Sequence, residues 1–300
     1  VTALAALAGL CLAQATQPTP APPTFRVDSE VVELDVSVTR GGKHVAGLTA
    51  ADFQVLDSGV PQAVELAAAG DLPLSLILAL DTSGSLAGER FTRLLSAAGA
   101  FLRGLRPNDR TALVSFSHRV RVWGGLGQEP VAVGAQLGRV SPDGMTALND
   151  ALYTGLALAR GASGRCALVL FSDGLDNISW TSEADVLEAA RASPAVVFVV
   201  ASSLASVPQE ERKGIARDPR EAFLKKLAGA SGGQLVKASS DEALADAFTR
   251  VLSELRDRYV LRYVPDDVPG AGWHPIEVKL KARKADVTTR AGYLKAASPR

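Results

Sequence analysis

The sequence predicts an α/β protein: a doubly wound, mainly parallel sheet, with a smaller β-rich unit assembled from the N- and C-terminal flanks. Three observations carry this expectation. The middle of the chain holds continuous apolar runs of strand length, "LPLSLILAL" (72–80), "TALVSFS" (111–117), "CALVLFS" (166–172) and "PAVVFVVAS" (194–202), the pattern of strands buried on both faces. Segments of helical period alternate with those runs, as βαβ units require. The flanks instead show short period-two stretches punctuated by Gly and Pro.

Taken in chain order, the opening "VTALAALAGLCLAQA" is an uncharged apolar stretch too short to span a bilayer, and it ends in Ala13-Gln14-Ala15. It reads as a signal peptide over 1–15 that begins inside its apolar region, so the protein is expected to be exported to the periplasm, the cell surface or the medium. The following "TQPTPAPPT" reads as an extended linker over 16–24. A first β segment is expected over 25–68, where "VVELDVSVTR", a Gly-Gly turn and "FQVLDSGVPQAVEL" alternate in polarity.

The α/β domain is expected over 70–256. "GERFTRLLSAAGAFLRGL" puts Phe91, Leu94, Leu95, Phe101 and Leu102 near one helical face, with Pro107 after the stop. "QLVKA" (234–238) is the last expected strand and "DEALADAFTRVLSELRDRY" the closing helix. Beyond it, "RYVLRYVP", "HPIEVKLKA" and "VTTRAGYLKA" return to period two, which gives a C-terminal β segment over 257–297 expected to pack with 25–68.

Composition narrows the function. The 300 residues are 47% hydrophobic, ample for a large core plus a small one, and the 32 basic and 32 acidic side chains balance. With no like-charge block and no basic stripe interleaved with aromatics, nucleic acid is not an expected partner. Once an export signal is removed Cys166 is the sole cysteine, so no intrachain disulfide is expected. No later run approaches membrane-spanning length, so the mature chain is expected to carry no transmembrane segment.

The chemistry gathers where the first buried run stops. In "ALDTSGSL" (79–86), Asp81, Ser83 and Ser85 alternate on a loop leaving a strand end, which lets three oxygens face one point. The run 166–172 continues into "SDGLDN", offering Asp173 at the same edge, and "SPDGMTALNDAL" provides Thr146 on a Gly-containing loop before a helix. Ligands of parallel α/β sheets collect at this edge, beside the point where strand order reverses. Oxygen donors alone, two of them carboxylates and the rest hydroxyls, suit a hard divalent cation such as Mg²⁺ or Mn²⁺. If hydroxyls coordinate directly and the aspartates act partly through water, the ion keeps positive character for an incoming carboxylate.

These residues resemble the metal-ion-dependent adhesion site of von Willebrand factor A domains, whose pattern is D-x-S-x-S, then a Thr, then an Asp. Asp81, Ser83 and Ser85 match the first part, Thr146 in "GMTAL" the second and Asp173 in "SDG" the third. The resemblance covers about residues 70–256. It implies a non-enzymatic protein-binding module in which Asp or Glu of a partner protein completes the shell of a Mg²⁺ or Mn²⁺ ion. The flanking β segments are similar to those of exported von Willebrand factor A-related proteins of acidobacterial type, which generally carry an acidic or amide residue where Arg40 stands.

Duller roles are open for each residue. Asp81, Ser83, Thr146 or Asn149 would serve as helix caps, Asp143 and Asp176 as turn residues or supports for the ligands, and Asp150 as a solvent-facing or first-turn helix residue. His44, His118 and His274 lack zinc-like spacing and are expected to be incidental. An aspartyl phosphatase would need a second Asp where Ser83 stands, and a serine hydrolase a G-x-S-x-G turn and a partner His, so no catalytic residue is expected. A structural envelope or assembly component with a loop-stabilising metal is the alternative from another class, and metal-assisted hydrolysis is a further, less favoured one.

Overall fold

The computed structural model describes residues 31–67, 72–162, 164–202, 219–238, 240, 243–268, 270–282 and 284–295. The expected signal peptide and Pro-rich linker lie outside the described residues. Among the described residues three sheets are formed. The largest contains β6 (Ser75–Asp81), β7 (Arg110–Phe116), β8 (Val120–Val122), β9 (Cys166–Ser172), β10 (Val196–Ser202) and β11 (Leu235–Ala238), in the spatial order β11-β10-β9-β6-β7-β8. All neighbours are parallel except β8, which returns antiparallel along β7 through a turn closed by Ser117 N–H donating to Arg119 O at 3.1 Å. That edge hairpin is not anticipated by the apolar runs, because Val120–Val122 is half solvated.

Helices cover both faces, as the doubly wound expectation requires. Strand β6 shows why. Its Leu76, Leu78 and Leu80 join the core under α1 (Glu89–Arg103), α2 (Pro130–Gln136) and α6 (Leu244–Arg256). Its Ile77 and Ala79 join the core under α3 (Leu148–Ala159), α4 (Glu183–Ala192) and α5 (Pro219–Ala230). The same alternation carries Asp81, at the strand end, to the α3 side. Strand β9 repeats the rule, with Leu168 and Leu170 on that side and Ser172 next in the row.

The flanks pair with one another. One antiparallel sheet runs β14 (Asp286–Thr288), β1 (Val32–Arg40), β12 (Tyr259–Tyr263), β5 (Glu65–Ala67), with β2 (Lys43–His44) hairpinned onto β1. The second runs β15 (Gly292–Lys295), β13 (Gly272–Leu280), β3 (Phe53–Asp57), β4 (Val60–Gln62). Val32, Leu34, Val36 and Val38, alternate residues of β1, meet Phe53, Val55, Leu261 and Val278 in one core between the sheets.

This sandwich also holds a buried polar cluster. Asp57 Oδ1 lies 2.9 Å from His274 Nδ1, and Asp57 Oδ2 accepts from Tyr263 and Tyr293 hydroxyls, each at 2.9 Å. His274 Nε2 faces the Gly270 carbonyl at 2.8 Å, so both ring nitrogens are engaged. His274, expected to be incidental, is thus an internal strut of the sandwich. Isolated in the sequence, it acquires its partners only through the β13–β3 and β13–β15 pairings.

The sandwich docks at the amino-terminal edge of the large sheet. Arg165, just ahead of β9, donates from Nη2 to Asp35 of β1 at 2.9 Å, and Arg290 donates from Nη2 to Ser193 O at 3.1 Å just ahead of β10. Gly232, at φ +81°, lets the backbone of Thr289 and Arg290 come so close that a Cβ would sit 2.5 Å from it. The carboxyl edge of the sheet, at the other end of every parallel strand, is left to its loops.

Candidate metal centre

Strands β6 and β9 are adjacent at the point where the strand order reverses, with β7 running away on one side and β10 on the other. This is where a crevice opens in such sheets. Asp81 is the last residue of β6 and Asp173 follows the last residue of β9.

Each loop is stitched to its neighbour by backbone hydrogen bonds. Thr82 N–H donates to Phe116 O at 2.7 Å, Gly84 N–H to Gly144 O at 2.9 Å and Asp143 N–H to Thr82 O at 2.8 Å. Ala147 N–H donates to Ser117 O at 2.8 Å and Asn177 N–H to Thr146 O at 2.9 Å. The loop after β6, the loop before α3 and the loop after β9 therefore form one continuous tip. Gly144 adopts φ +67° there and faces the His118 ring, where a Cβ would fall 2.3 Å from Nδ1.

Within that tip, Asp81 is fully buried, and Ser83, Thr146 and Asp173 are nearly so, while Ser85 is exposed. Asp81 Oδ1 accepts from Ser83 N–H at 2.9 Å, and Oδ2 accepts from the Ser172 hydroxyl at 2.7 Å. The Ser83 and Ser85 hydroxyls lie 3.1 Å apart, and Asp173 Oδ1 accepts from Leu175 N–H at 3.0 Å. Among the described residues, neither the Thr146 hydroxyl nor Asp173 Oδ2 makes a hydrogen bond.

The capping explanations do not describe these side chains. Ser83 precedes the 3-10 turn Gly84–Leu86 without a side-chain cap bond, and the N-cap of α3 is Ala147, one residue beyond Thr146. Asp81 is caught between burial and partial compensation. Burial pushes its carboxyl up, hydrogen bonds involving Ser83 and Ser172 pull it back only in part, and the nearby Asp173 charge adds to the rise, so that it stands at about 6. Among the described residues neither aspartate is paired with a basic side chain.

The donor set fits a hard divalent cation. Two carboxylates without a basic partner among the described residues, alongside hydroxyls that can coordinate through oxygen, are the chemistry such an ion accepts. Among the described residues no group of three or more His, Cys, Asp or Glu side chains forms a metal cluster. A cation at this edge would therefore rest on hydroxyls as much as on acids.

Sequence reasoning passed over Ser172. The available signal was its parity with Asp81 across the paired strands, two residues beyond Leu170 at the end of an apolar run. Asp150 and Asp176 brace the rim: Asp150 Oδ1 accepts from Thr181 N–H at 2.9 Å and Oδ2 from Trp180 N–H at 3.2 Å, while Asp176 Oδ1 accepts from Leu148 N–H at 3.2 Å. Asp143 reaches only toward His118, at 3.9 Å.

Residues 76–175 match the model of the von Willebrand factor type A domain. The match contains all five of Asp81, Ser83, Ser85, Thr146 and Asp173. An uncharacterized protein of Synechocystis sp. is 31% identical over 137 residues, which is 40% of this chain and 32% of the relative, so the chain spans about a third of that relative's length. Among solved structures, a von Willebrand factor type A protein of Catenulispora acidiphila superposes with a TM-score of 0.51 at 14% identity, covering 90% of this chain and 75% of the other. Proximal thread matrix protein 1 of the mussel byssus, in a form with a zinc-occupied MIDAS motif, gives 0.53 at 15% identity, covering 66% of this chain and 49% of the other. The PilB minor pilin of Streptococcus sanguinis gives 0.50 at 16% identity over 63% of this chain and 62% of the other. At these identities the likeness concerns fold. A von Willebrand factor type A fold carrying extra β-rich flanks is the architecture of this chain.

Proposed function

We propose that this chain is an exported, metal-dependent protein-binding module. Asp81, Ser83, Ser85, Thr146 and Asp173 would hold Mg²⁺ or Mn²⁺, and an Asp or Glu side chain of a partner protein would complete the shell. One observation supports this above the others: two neighbouring aspartates are buried at a sheet switch point, and neither has a basic partner among the described residues. A fold stabilised by its own contacts alone gains nothing from such an arrangement, since buried charge without a counter-charge is costly.

A divalent cation held there supplies that counter-charge and a positive open position for an incoming carboxylate. The chain's own residues do the rest. Ser172 and the Ser83 N–H orient the two Asp81 oxygens, Leu175 N–H orients Asp173, and the backbone bonds among the three loops fix the Thr146 hydroxyl at the tip. The module is read as binding without turnover. Among the described residues no helix is long and apolar enough to cross a membrane, and export rests on the sequence of residues 1–15.

The test is calorimetry of Mg²⁺, Mn²⁺ and Zn²⁺ with the full chain and with Asp81→Ala, each accompanied by a thermal melt. Zn²⁺ is included because the mussel relative's site holds it. Saturable Mg²⁺ or Mn²⁺ binding lost in a still-folded Asp81→Ala variant is the expected result. Absence of binding to the folded wild type, or metal-dependent hydrolysis of phosphoesters or peptides, would overturn the reading.

A further inference from the structure

Beside the candidate metal centre stands an indole in water. Trp180 is 98% exposed, on the loop between Asp173 and α4. An exposed apolar side chain is ordinary on a loose segment, but this loop is not loose. Asp150 takes the N–H groups of both Trp180 and Thr181, the Ser179 hydroxyl takes the N–H of Asp150 at 3.1 Å, and Asn177 N–H is tied to the Thr146 carbonyl. The backbone under the indole is therefore pinned to the helix start that follows the candidate ligand Thr146.

A second large apolar side chain, Met145, is 52% exposed immediately before Thr146. A separate groove of about 280 Å³ lies between α3 and α4, where Tyr153, Leu156 and Ala189 meet the charged Arg160, Asp185 and Glu188.

The opposite rim differs in character. His118 and Arg119 are exposed on the β7–β8 turn, which is bonded to Ala147 through Ser117 O. Asp143 lies 3.9 Å from His118, and Arg119 has no carboxylate partner among the described residues. The site thus carries the exposed Arg119 guanidinium on one side and the exposed Trp180 indole on the other. Trp anchors beside polar rims dominate the energetics of protein interfaces, and charge complementarity sets partner choice.

We infer that Trp180, with Met145, is the apolar anchor of the partner-binding face. The occupant is an acidic segment of a partner protein that carries a bulky apolar residue next to the carboxylate offered to the cation. This rests on the metal-dependent reading above and adds to it the chemistry of the partner.

The probe is a displayed library of linear random peptides, panned on the full chain in Mg²⁺ and eluted with EDTA. The eluted peptides should share an Asp or Glu with Trp, Phe, Tyr or Leu within two positions. Trp180→Ala should weaken them about tenfold or more, the loss expected for truncating an interface anchor, while Trp180→Phe retains most of the affinity. Mg²⁺ binding itself should be unchanged in Trp180→Ala. Tryptophan emission should shift to the blue on binding in wild type and not in Trp180→Phe.

EDTA-eluted peptides that bind Trp180→Ala as tightly as wild type would overturn this inference and leave the metal-dependent reading standing. Peptides that bind equally well in EDTA or to Asp81→Ala would overturn the metal-dependent reading. Failure to enrich any EDTA-eluted peptide on a chain that binds Mg²⁺ would overturn the inference alone.

Discussion

Asp57 in the sandwich and Asp81 in the α/β unit are both fully buried aspartates at strand ends, and their surroundings treat them oppositely. Burial raises the carboxyl of Asp57 as it does that of Asp81, but hydrogen bonds from His274, Tyr293, Tyr263 and Ser58 outweigh it and hold Asp57 below the usual carboxylate range. Asp81 has Ser83 and Ser172 but no imidazole and no tyrosine, and it ends up at about 6 beside another acid. Burial alone does not mark a functional carboxylate. Asp57 is compensated by its own neighbours, whereas among the described residues Asp81 has no basic partner and is only partly compensated.

The largest expected effect breaks the complete member of the pair. Asp57→Ala strands the Tyr263 and Tyr293 hydroxyls and the His274 ring in an apolar core, and should cost about 3–5 kcal/mol in urea unfolding, the range for breaking a buried charged network. A loss below about 1 kcal/mol would show that the cluster contributes little.

For the incomplete member the sign reverses. The folded chain holds the Asp81 proton more tightly than the unfolded chain does, so in EDTA stability should fall as pH climbs from about 4 to about 6 and stay level above. The drop is at most roughly 3 kcal/mol, from a rise of about two units at about 1.4 kcal/mol each. Asp57 contributes in the other direction: its stabilisation is present above the ordinary carboxylate range and is lost as pH falls through and below that range. Urea midpoints across pH 3–8 for wild type, Asp81→Asn and Asp57→Asn separate the two, since Asp81→Asn should abolish only the decline between about 4 and 6.

Adding Mg²⁺ sharpens the comparison further. At a hundredfold excess over its dissociation constant, a cation bound only by the folded state should return about 2.7 kcal/mol to wild type at pH 8 and nothing to Asp81→Asn. The same binding should weaken below about pH 6, where a proton competes for Asp81. Thr146→Val, which deletes a hydroxyl without a hydrogen-bond partner among the described residues, should lower cation affinity roughly tenfold while leaving metal-free stability nearly unchanged.

Smaller effects test the scaffold. Gly144→Ala forces φ +67° on a residue with a Cβ and crowds His118, which should cost about 1 kcal/mol and loosen the tip that holds Thr146. Trp180→Ala, on the same rim but exposed, should unfold within about 0.5 kcal/mol of wild type. A larger change there would mean that the indole has a structural role.

Much of the α/β unit was legible because its strands are buried on both faces, and buried strands write themselves as continuous apolar runs. Asp81, Ser83 and Ser85 stand out in the sequence because D-x-S-x-S sits directly at the end of such a run, while Thr146 and Asp173 join them as candidates through the resemblance. Ser172 was not, because a serine at a strand end is unremarkable until β9 is laid beside β6. His274 was missed for the same reason: its partner Asp57 is brought to it by a strand pairing across most of the chain, and Tyr293 by the β13–β15 pairing. The short antiparallel β8 escaped because a half-solvated three-residue edge carries almost no periodicity.

Local pattern by itself therefore determined the alternation of strand and helix, the period-two character of the flanks and the residue types at the strand ends, since each depends on neighbours within a few positions. Only the tertiary structure decided that the two flanks share one core, that they dock at the amino-terminal edge and leave the carboxyl edge open, and which buried aspartate is completed from within. Those outcomes turn on long-range pairing and on the balance of desolvation against hydrogen bonds at individual atoms, and neither quantity is carried by any short stretch of sequence.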